Sequence, residues 1–205
     1  MLGNARGRNN LLSFLALRIR EISQLFVPTQ SGGMEIIMKR IAKFEKVSQE
    51  IFNLGWIDAF GSGLGIYDAY NDLKLPKRAT SGSAGYDFFA VRDVELAPGE
   101  TIKMPTGIRV KIDEGWVLKI YPRSGLGFKF RLQLDNTVGI IDSDYYYSDN
   151  EGHIMIKITN NSLEGKTLRL EKGKAFAQGV FVEYGITVDD DAEGVRNGGF
   201  GSTSK

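Results

Sequence analysis

The chain of 205 residues is long enough for one domain of ordinary size plus an appendage, and 42% apolar residues suffice for a core. Its 26 lysines and arginines nearly cancel 25 aspartates and glutamates, so no global field draws it to nucleic acid or to a membrane, and a phosphate ligand must be held by a local site. The lack of cysteine excludes disulfides, zinc–thiolate sites and thiol nucleophiles, while a single histidine, His153, excludes multi-histidine metal sites and leaves Ser-His-Asp chemistry only that residue to run through.

Residues 1–37 read as an extension. Arg6, Arg8, Arg18 and Arg20 precede the first acidic residue, Glu21, and the apolar run Leu11–Leu17 is too short to span a bilayer. Such a stretch fits either a targeting segment or an upstream extension ahead of a start at Met34 or Met38. Residues 38–195 are expected to form the globular domain, and residues 196–205 a glycine-rich tail. Ser48 is positioned to cap a short helix through Ile51, Phe52 and Trp56, its side chain accepting a backbone N–H of the first turn. The glycine-rich stretch 61–65 lacks the Gly-Lys-Ser/Thr of a phosphate loop and reads as a flexible connection.

After Pro76 the periodicity becomes two. Gly107–Ile112 alternates apolar and polar residues, Trp116–Tyr121 does so in part, and Ile154–Ile158 and Thr167–Leu170 continue the pattern. Turn formers bound these runs at 97–99, 113–115, 160–162 and 171–173. Many short strands at regular spacing predict an all-β barrel or sandwich, and the missing βαβ alternation weighs against Rossmann and P-loop architectures.

Without cysteine and with one histidine, hydrolytic chemistry would fall to carboxylates and a hard cation. Five segments interrupt the strand rhythm: Ala84-Gly-Tyr-Asp87, Pro122-Arg-Ser-Gly-Leu126, Asn136-Thr-Val-Gly-Ile-Ile-Asp-Ser-Asp-Tyr145, Gly173-Lys-Ala-Phe-Ala-Gln178 and Arg196-Asn-Gly-Gly-Phe-Gly-Ser-Thr203. Singly, each has an ordinary explanation: Asp87 as a turn cap, Arg123 as a surface residue, Asp142 and Asp144 as strand terminators, Gln178 as partner to a buried backbone group, and the glycine-rich end as a frayed tail. Together and in this order they resemble the five motifs of the trimeric dUTPase family, its bacterial and phage members in particular, over about Lys39 to Lys205.

The resemblance implies an all-β, jelly-roll-like barrel with one short helix, assembled as a cytoplasmic homotrimer with shared sites. It implies hydrolysis of dUTP to dUMP and pyrophosphate with Mg²⁺ as cofactor. Asp142 matches the general base that activates the water attacking the α-phosphorus, and Asp87 matches the carboxylate that holds Mg²⁺ through water. Arg123, Ser124 and Gly125 match phosphate contacts. Asn136, Gly139, Ile140 and Ile141 match a β-hairpin that reads uracil, and Tyr145 the aromatic that packs on deoxyribose and leaves no room for a 2′-hydroxyl. Met155 and Gln178 match further substrate contacts, while Asp144 is expected to stabilise its own turn. In the tail, Arg196, Ser202 and Thr203 match phosphate contacts and Phe200 a stacking partner for uracil, as parts of a lid. One subunit would supply Asp87, Arg123, Ser124 and Gln178, a second the hairpin and a third the tail.

The chain departs from the family pattern in several places. Ala175-Phe176 stands where an arginine is usual, with Lys174 the candidate replacement. Only Asn197 separates Arg196 from Gly198, and Ser204 replaces a common glycine. Tyr145–Gly152 is longer than the simplest form, which reads as an exposed loop or, given three adjacent tyrosines, as a surface for a protein partner. Two rival functions follow: a dCTP deaminase of the same fold, and a regulatory binding protein that keeps the nucleotide site as a switch. No nucleic-acid or membrane partner is expected.

Overall fold

The structure, a computed structural model, describes residues 26–28, 34–36, 38–63, 65–196 and 198. It divides into two compact units, residues 1–41 and 42–205. In the first, β1 (Phe26–Pro28) pairs antiparallel with β2 (Met34–Ile36).

The second unit opens with β3 (Ala42–Lys46), α1 (Gln49–Phe60), α2 (Ile66–Asn71) and the short strand β4 (Lys77–Arg78). Strands β5 (Tyr86–Phe89), β6 (Val94–Leu96), β7 (Thr101–Pro105), β8 (Ile108–Ile112) and β9 (Trp116–Pro122) follow, then helix α3 (Ser124–Phe130). The chain closes with β10 (Gln133–Leu134), β11 (Gly139–Ile141), a 3-10 turn (Ser143–Tyr147), β12 (Met155–Thr159), β13 (Leu168–Leu170) and β14 (Ala175–Glu183). A five-stranded sheet runs β11-β9-β14-β5-β4 and a three-stranded sheet β10-β12-β7, with β13 on β6 and β3 on β8, all antiparallel.

The predicted period of two is the burial pattern of β8, whose Ile108, Val110 and Ile112 are buried while Lys111 is exposed. Such inward positions make one core that includes Phe88, Met104, Ile108, Leu118, Ile158 and Phe176. The architecture is the expected all-β, jelly-roll-like one. Among the described residues there are three α-helices where one short helix was expected. Pro122-Arg-Ser-Gly-Leu126 leaves its strand by entering α3, held at its far end by the buried Phe130. The anticipated hairpin is also different: β10 pairs with β12 and β11 with β9, so the stretch around Asn136 is a turn that passes from one sheet to the other. No helix among the described residues is long and apolar enough to cross a membrane.

Helix α1 begins as its sequence predicts. Ser48 is extended at the N-cap and its hydroxyl accepts from Ile51 N at 3.3 Å. Phe52 and Trp56, four residues apart on one face, are buried, each burial being worth about 1.5–3 kcal/mol. Gly55 sits against the strands: a Cβ there would lie 2.7 Å from His153 Cε1 and 3.4 Å from Met155 Sδ. In a free helix Gly→Ala stabilises by about 1 kcal/mol. Here the buried imidazole must move, so Gly55→Ala is expected to destabilise by about 1–3 kcal/mol in urea titration, the opposite sign.

Candidate active site

Strand β14 lies between β5 and β9, and its register sets Gln178 opposite Asp87 on one side and Tyr121 on the other. Arg123 follows the end of β9, its N–H donating to Phe176 O at 3.2 Å, and its Nη1 stands 3.4 Å from Asp87 Oδ2. Gln178 Nε2 donates to Pro122 O at 3.3 Å. A Cβ on residue 85 would come within 2.6 Å of Gln178 Oε1, so a larger residue in Ala84-Gly-Tyr-Asp87 would displace the Gln178 amide. Ser124 and Gly125 form the first turn of α3, whose first internal bonds run from Leu126 N and Gly127 N to Arg123 O at 3.1 and 2.9 Å. The N–H groups of residues 124 and 125 therefore precede the helix's own ladder. A half-exposed guanidinium fork, such N–H groups and a neighbouring carboxylate make a clamp suited to phosphate oxygens and a hard cation. Lys174, the candidate replacement for the usual arginine, is exposed with its Nζ 3.8 Å from Glu171, and Phe176 is fully buried, so Arg123 is the cation seen against Asp87.

Asn136 stands in the sheet-switching turn. Thr137 follows in the left-handed region at φ 67°, and Val138 N donates to Asn136 O at 2.7 Å. A β-branched residue in that conformation costs on the order of 1–2 kcal/mol, strain of the kind found where backbone is held for recognition. Asn136 and Met155 line a cleft of about 510 Å³ together with Asp58 of α1, Lys103 of β7 and Asn150. Beyond the turn, Gly139 and Ile141 are buried and Ile140 is exposed.

Asp142 opens the 3-10 turn without capping it through its side chain. Its Oδ2 accepts from Arg196 Nη2 at 2.6 Å, and Asp144 Oδ1 accepts from Arg196 Nε at 2.9 Å. The guanidinium lies 5.9 Å over the Tyr145 ring. Arg196 was expected at the phosphates, and Asp144 on backbone N–H groups. Within the single chain the two carboxylates, two residues apart, form a forked acceptor that holds the arginine fork. Asp142 is also remote from the clamp. Ile141 is opposite Leu118, five residues before Arg123, a separation of roughly 16 Å of strand. Phe200, Ser202 and Thr203 lie outside the described residues.

The family model for dUTPase matches residues 71–204. The chain belongs to the dUTPase family. It is 42% identical over 134 residues to deoxyuridine 5'-triphosphate nucleotidohydrolase of Lactococcus lactis subsp. lactis, covering 64% of this chain and 88% of that one. It is 41% identical over 142 residues to the enzyme of the same name from Escherichia coli O9:H4, covering 65% of this chain and 89% of that one. Among solved structures, a point mutant of the dUTPase of Staphylococcus aureus phage phi11, described with a structural Mg(II) ion, aligns with a TM-score of 0.53 at 22% identity, over 76% of this chain and 98% of that one. The dUTPase of Staphylococcus bacteriophage 80alpha, solved with dUpNHpp, aligns with a TM-score of 0.53 at 23% identity, over 82% and 100%. These two likenesses concern the fold.

The dUTPase match starts at residue 71, after α1, and this early helix meets the long loop that follows Tyr145. The loop is not the exposed excursion its length suggested. Glu151 Oε2 accepts the N–H of Ser48 at 2.8 Å, and Arg109 Nη1 stands 3.8 Å from the same oxygen. Tyr146 donates to Glu45 Oε2 at 2.6 Å, with the Arg109 guanidinium 4.4 Å over its ring. Tyr145 is buried and donates to His153 O at 2.9 Å, and burial pushes its phenol above the ordinary value of 10. Tyr147 alone of the three is exposed, which narrows any partner surface to its surroundings.

His153, Asn150, Asp58 and Lys103 were not singled out as site residues from the sequence. The unusual loop length was the available signal for the first two; nothing local marked Asp58 or Lys103. His153 Nε2 accepts from Gly107 N at 2.9 Å, which requires a neutral ring, and burial pushes its pKa down from 6.5 to about 4 against a smaller opposing pull from Glu151. The unfolded chain therefore binds a proton in this interval that the folded chain does not. Stability is full above pH 6.5 and falls as pH drops toward 4, by on the order of 3 kcal/mol in all. Urea midpoints between pH 7 and 5 should decline accordingly, and His153→Gln, which keeps an acceptor but cannot titrate, should flatten that decline.

Proposed function

We propose that this dUTPase-family chain hydrolyses dUTP to dUMP and pyrophosphate, in sites shared between copies of the chain. The observation that carries the reading is the family match over residues 71–204, reinforced by relatives named deoxyuridine 5'-triphosphate nucleotidohydrolase of which the chain covers 88% and 89%.

In this reading the guanidinium of Arg123 and the N–H groups of Ser124 and Gly125 hold the triphosphate, with Gln178 beside them. Asn136 pairs with the uracil edge against the backbone of Gly139, Ile140 and Ile141, while Met155 lines the nucleoside cleft and Tyr145 packs on the sugar. The Asp142 carboxylate orients a water, takes its proton as the new P–O bond forms at the α-phosphorus, and the bond to pyrophosphate breaks. Asp87 suits Mg²⁺: it is an oxygen donor beside a phosphate clamp, and a hydrated ion shared with substrate oxygens needs few ligands from the protein. Such an ion would supply charge neutralisation on the phosphates. Because Arg196 occupies both Asp142 and Asp144, substrate phosphate would have to draw it away before the base can work. Phe200, Ser202 and Thr203 would complete the lid over the bound nucleotide.

Distance supports sharing between subunits. Ile141, which precedes Asp142, is already roughly 16 Å of strand from Arg123 in one chain, too far for one α-phosphorus to meet both Asp142 and Arg123. A homotrimer in which one subunit's base faces another's clamp removes the gap. Pyrophosphate release from dUTP, dTTP, dCTP and UTP, with Mg²⁺ and with EDTA, tests the reading: release from dUTP alone and only with Mg²⁺ is expected, and ammonia from dCTP would overturn it. Asp142→Asn should lower turnover about a thousandfold while equilibrium dUTP binding persists. Near-normal turnover would remove Asp142 as the base.

A further inference from the structure

The long loop after Tyr145 returns to that tyrosine. Asn150 Nδ2 donates to the Tyr145 hydroxyl at 2.9 Å, and the hydroxyl donates to His153 O at 2.9 Å, so both its donor and its acceptor capacity are used. The amide orientation is set by its other end: Asn150 Oδ1 accepts Gly152 N at 3.1 Å and lies 2.8 Å from the Ser148 hydroxyl. Asn150 also lines the 510 Å³ cleft alongside Asn136 and Met155. It thus both lines the cleft proposed to take the nucleoside and holds the Tyr145 hydroxyl.

The fastening is itself anchored. The carbonyl that takes the Tyr145 proton belongs to His153, whose ring is held by Gly107 N and packed against Gly55. Helix α1, brought there by Gly55, also contributes Asp58, ion-paired with Lys103, to the cleft. Rejecting a substrate that merely carries one extra hydroxyl requires a wall that does not yield, because a loose pocket accepts the extra atom at little cost. A ring held at its hydroxyl by two fixed partners meets that requirement; a ring held only by packing would pivot.

We infer that Asn150 is a positioning residue that fixes the Tyr145 ring and thereby sets discrimination between deoxyribo- and ribonucleotide. The inference rests on the proposed dUTP hydrolysis. It assigns to the loop a part in specificity and makes Asn150 a residue that acts through Tyr145.

Steady-state kcat and KM for pyrophosphate release from dUTP and UTP, on the full chain, test it. Asn150→Ala should lower the ratio of kcat/KM for dUTP to that for UTP about tenfold, the worth of one hydrogen bond to a buried group. Asn150→Asp keeps the acceptor for Gly152 while losing the donor to Tyr145, and should lower the ratio similarly without unfolding the loop. In a Tyr145→Phe background, where the hydroxyl is gone, Asn150→Ala should change the ratio by less than about twofold. An unchanged ratio in Asn150→Ala, or an equal further drop in the Tyr145→Phe background, overturns the inference while leaving dUTP hydrolysis intact. A wild-type chain that releases no pyrophosphate from dUTP overturns both.

Discussion

The register of β14 between β5 and β9 is the constraint on which the candidate site depends. Asp87, Arg123 and Gln178 come from three distant stretches of sequence, and only this pairing brings them to one end of one sheet. Because the side-chain period of a strand is two, slipping β14 by one residue would turn Gln178 inward and the buried Ala177 outward. Phe176 and Ala177, fully buried, resist such a slip, so apolar burial in the sheet centre holds the polar clamp at its end. The small residue at position 85 leaves room for the Gln178 amide, which a larger one would displace. The clamp is therefore a by-product of core packing and needs no dedicated scaffold.

The same strand that delivers the clamp keeps the proposed base away from it. β9 carries Arg123 just past its last residue, while β11, with Asp142 beyond it, pairs toward the first half of the strand. On the proposed reading, catalysis then depends on assembly: a lone chain holds a phosphate clamp and a base that cannot meet on one substrate. The Arg196 pairing with Asp142 and Asp144 fits this division. It satisfies two adjacent carboxylates while no phosphate shares their neighbourhood, and a triphosphate brought by a neighbouring clamp would compete for the same guanidinium.

Much of the fold was legible because strand periodicity and turn chemistry are local. The alternation in 107–112 became β8, the glycines at 115 and 173 stand at positive φ where turns were read, and Ser48 caps the helix it was read to cap. The family was legible as five ordered segments, and the family match over residues 71–204 agrees with that reading. What remained hidden was pairing. Periodicity tells which face a residue occupies and not which strand lies beside it, so the Asn136 segment was read as a hairpin when its two ends belong to different sheets. Contacts across 103 residues, such as Ser48 to Glu151, have no local signature, and neither have the contacts that tie Tyr145 and Tyr146 of an apparently exposed loop back to the domain. Pro122-Arg-Ser-Gly-Leu126 was read only as a break in the strand rhythm, since the helix it opens runs on to a buried Phe130 beyond the motif.

Helix α1, which precedes the matched residues 71–204, and the long loop after Tyr145 form one unit. A helix of 12 residues is marginal alone, and ordering the loop costs about 1–2 kcal/mol per residue in backbone entropy. Each offsets the other's cost. Glu151 accepts the N–H of the helix's capping serine, the position usually served by a side chain inside the helix itself, and His153 fills the groove that Gly55 leaves open. Removing the helix would expose the His153 ring and release the carbonyl that holds Tyr145; shortening the loop would leave the start of the helix without Glu151. Such mutual dependence favours rigidity beside the cleft that Asn136 and Met155 line, which is what steric selection on the proposed reading requires. The long loop is better understood as a brace for the cleft wall than as a free surface, with Tyr147 as the part that still faces outward.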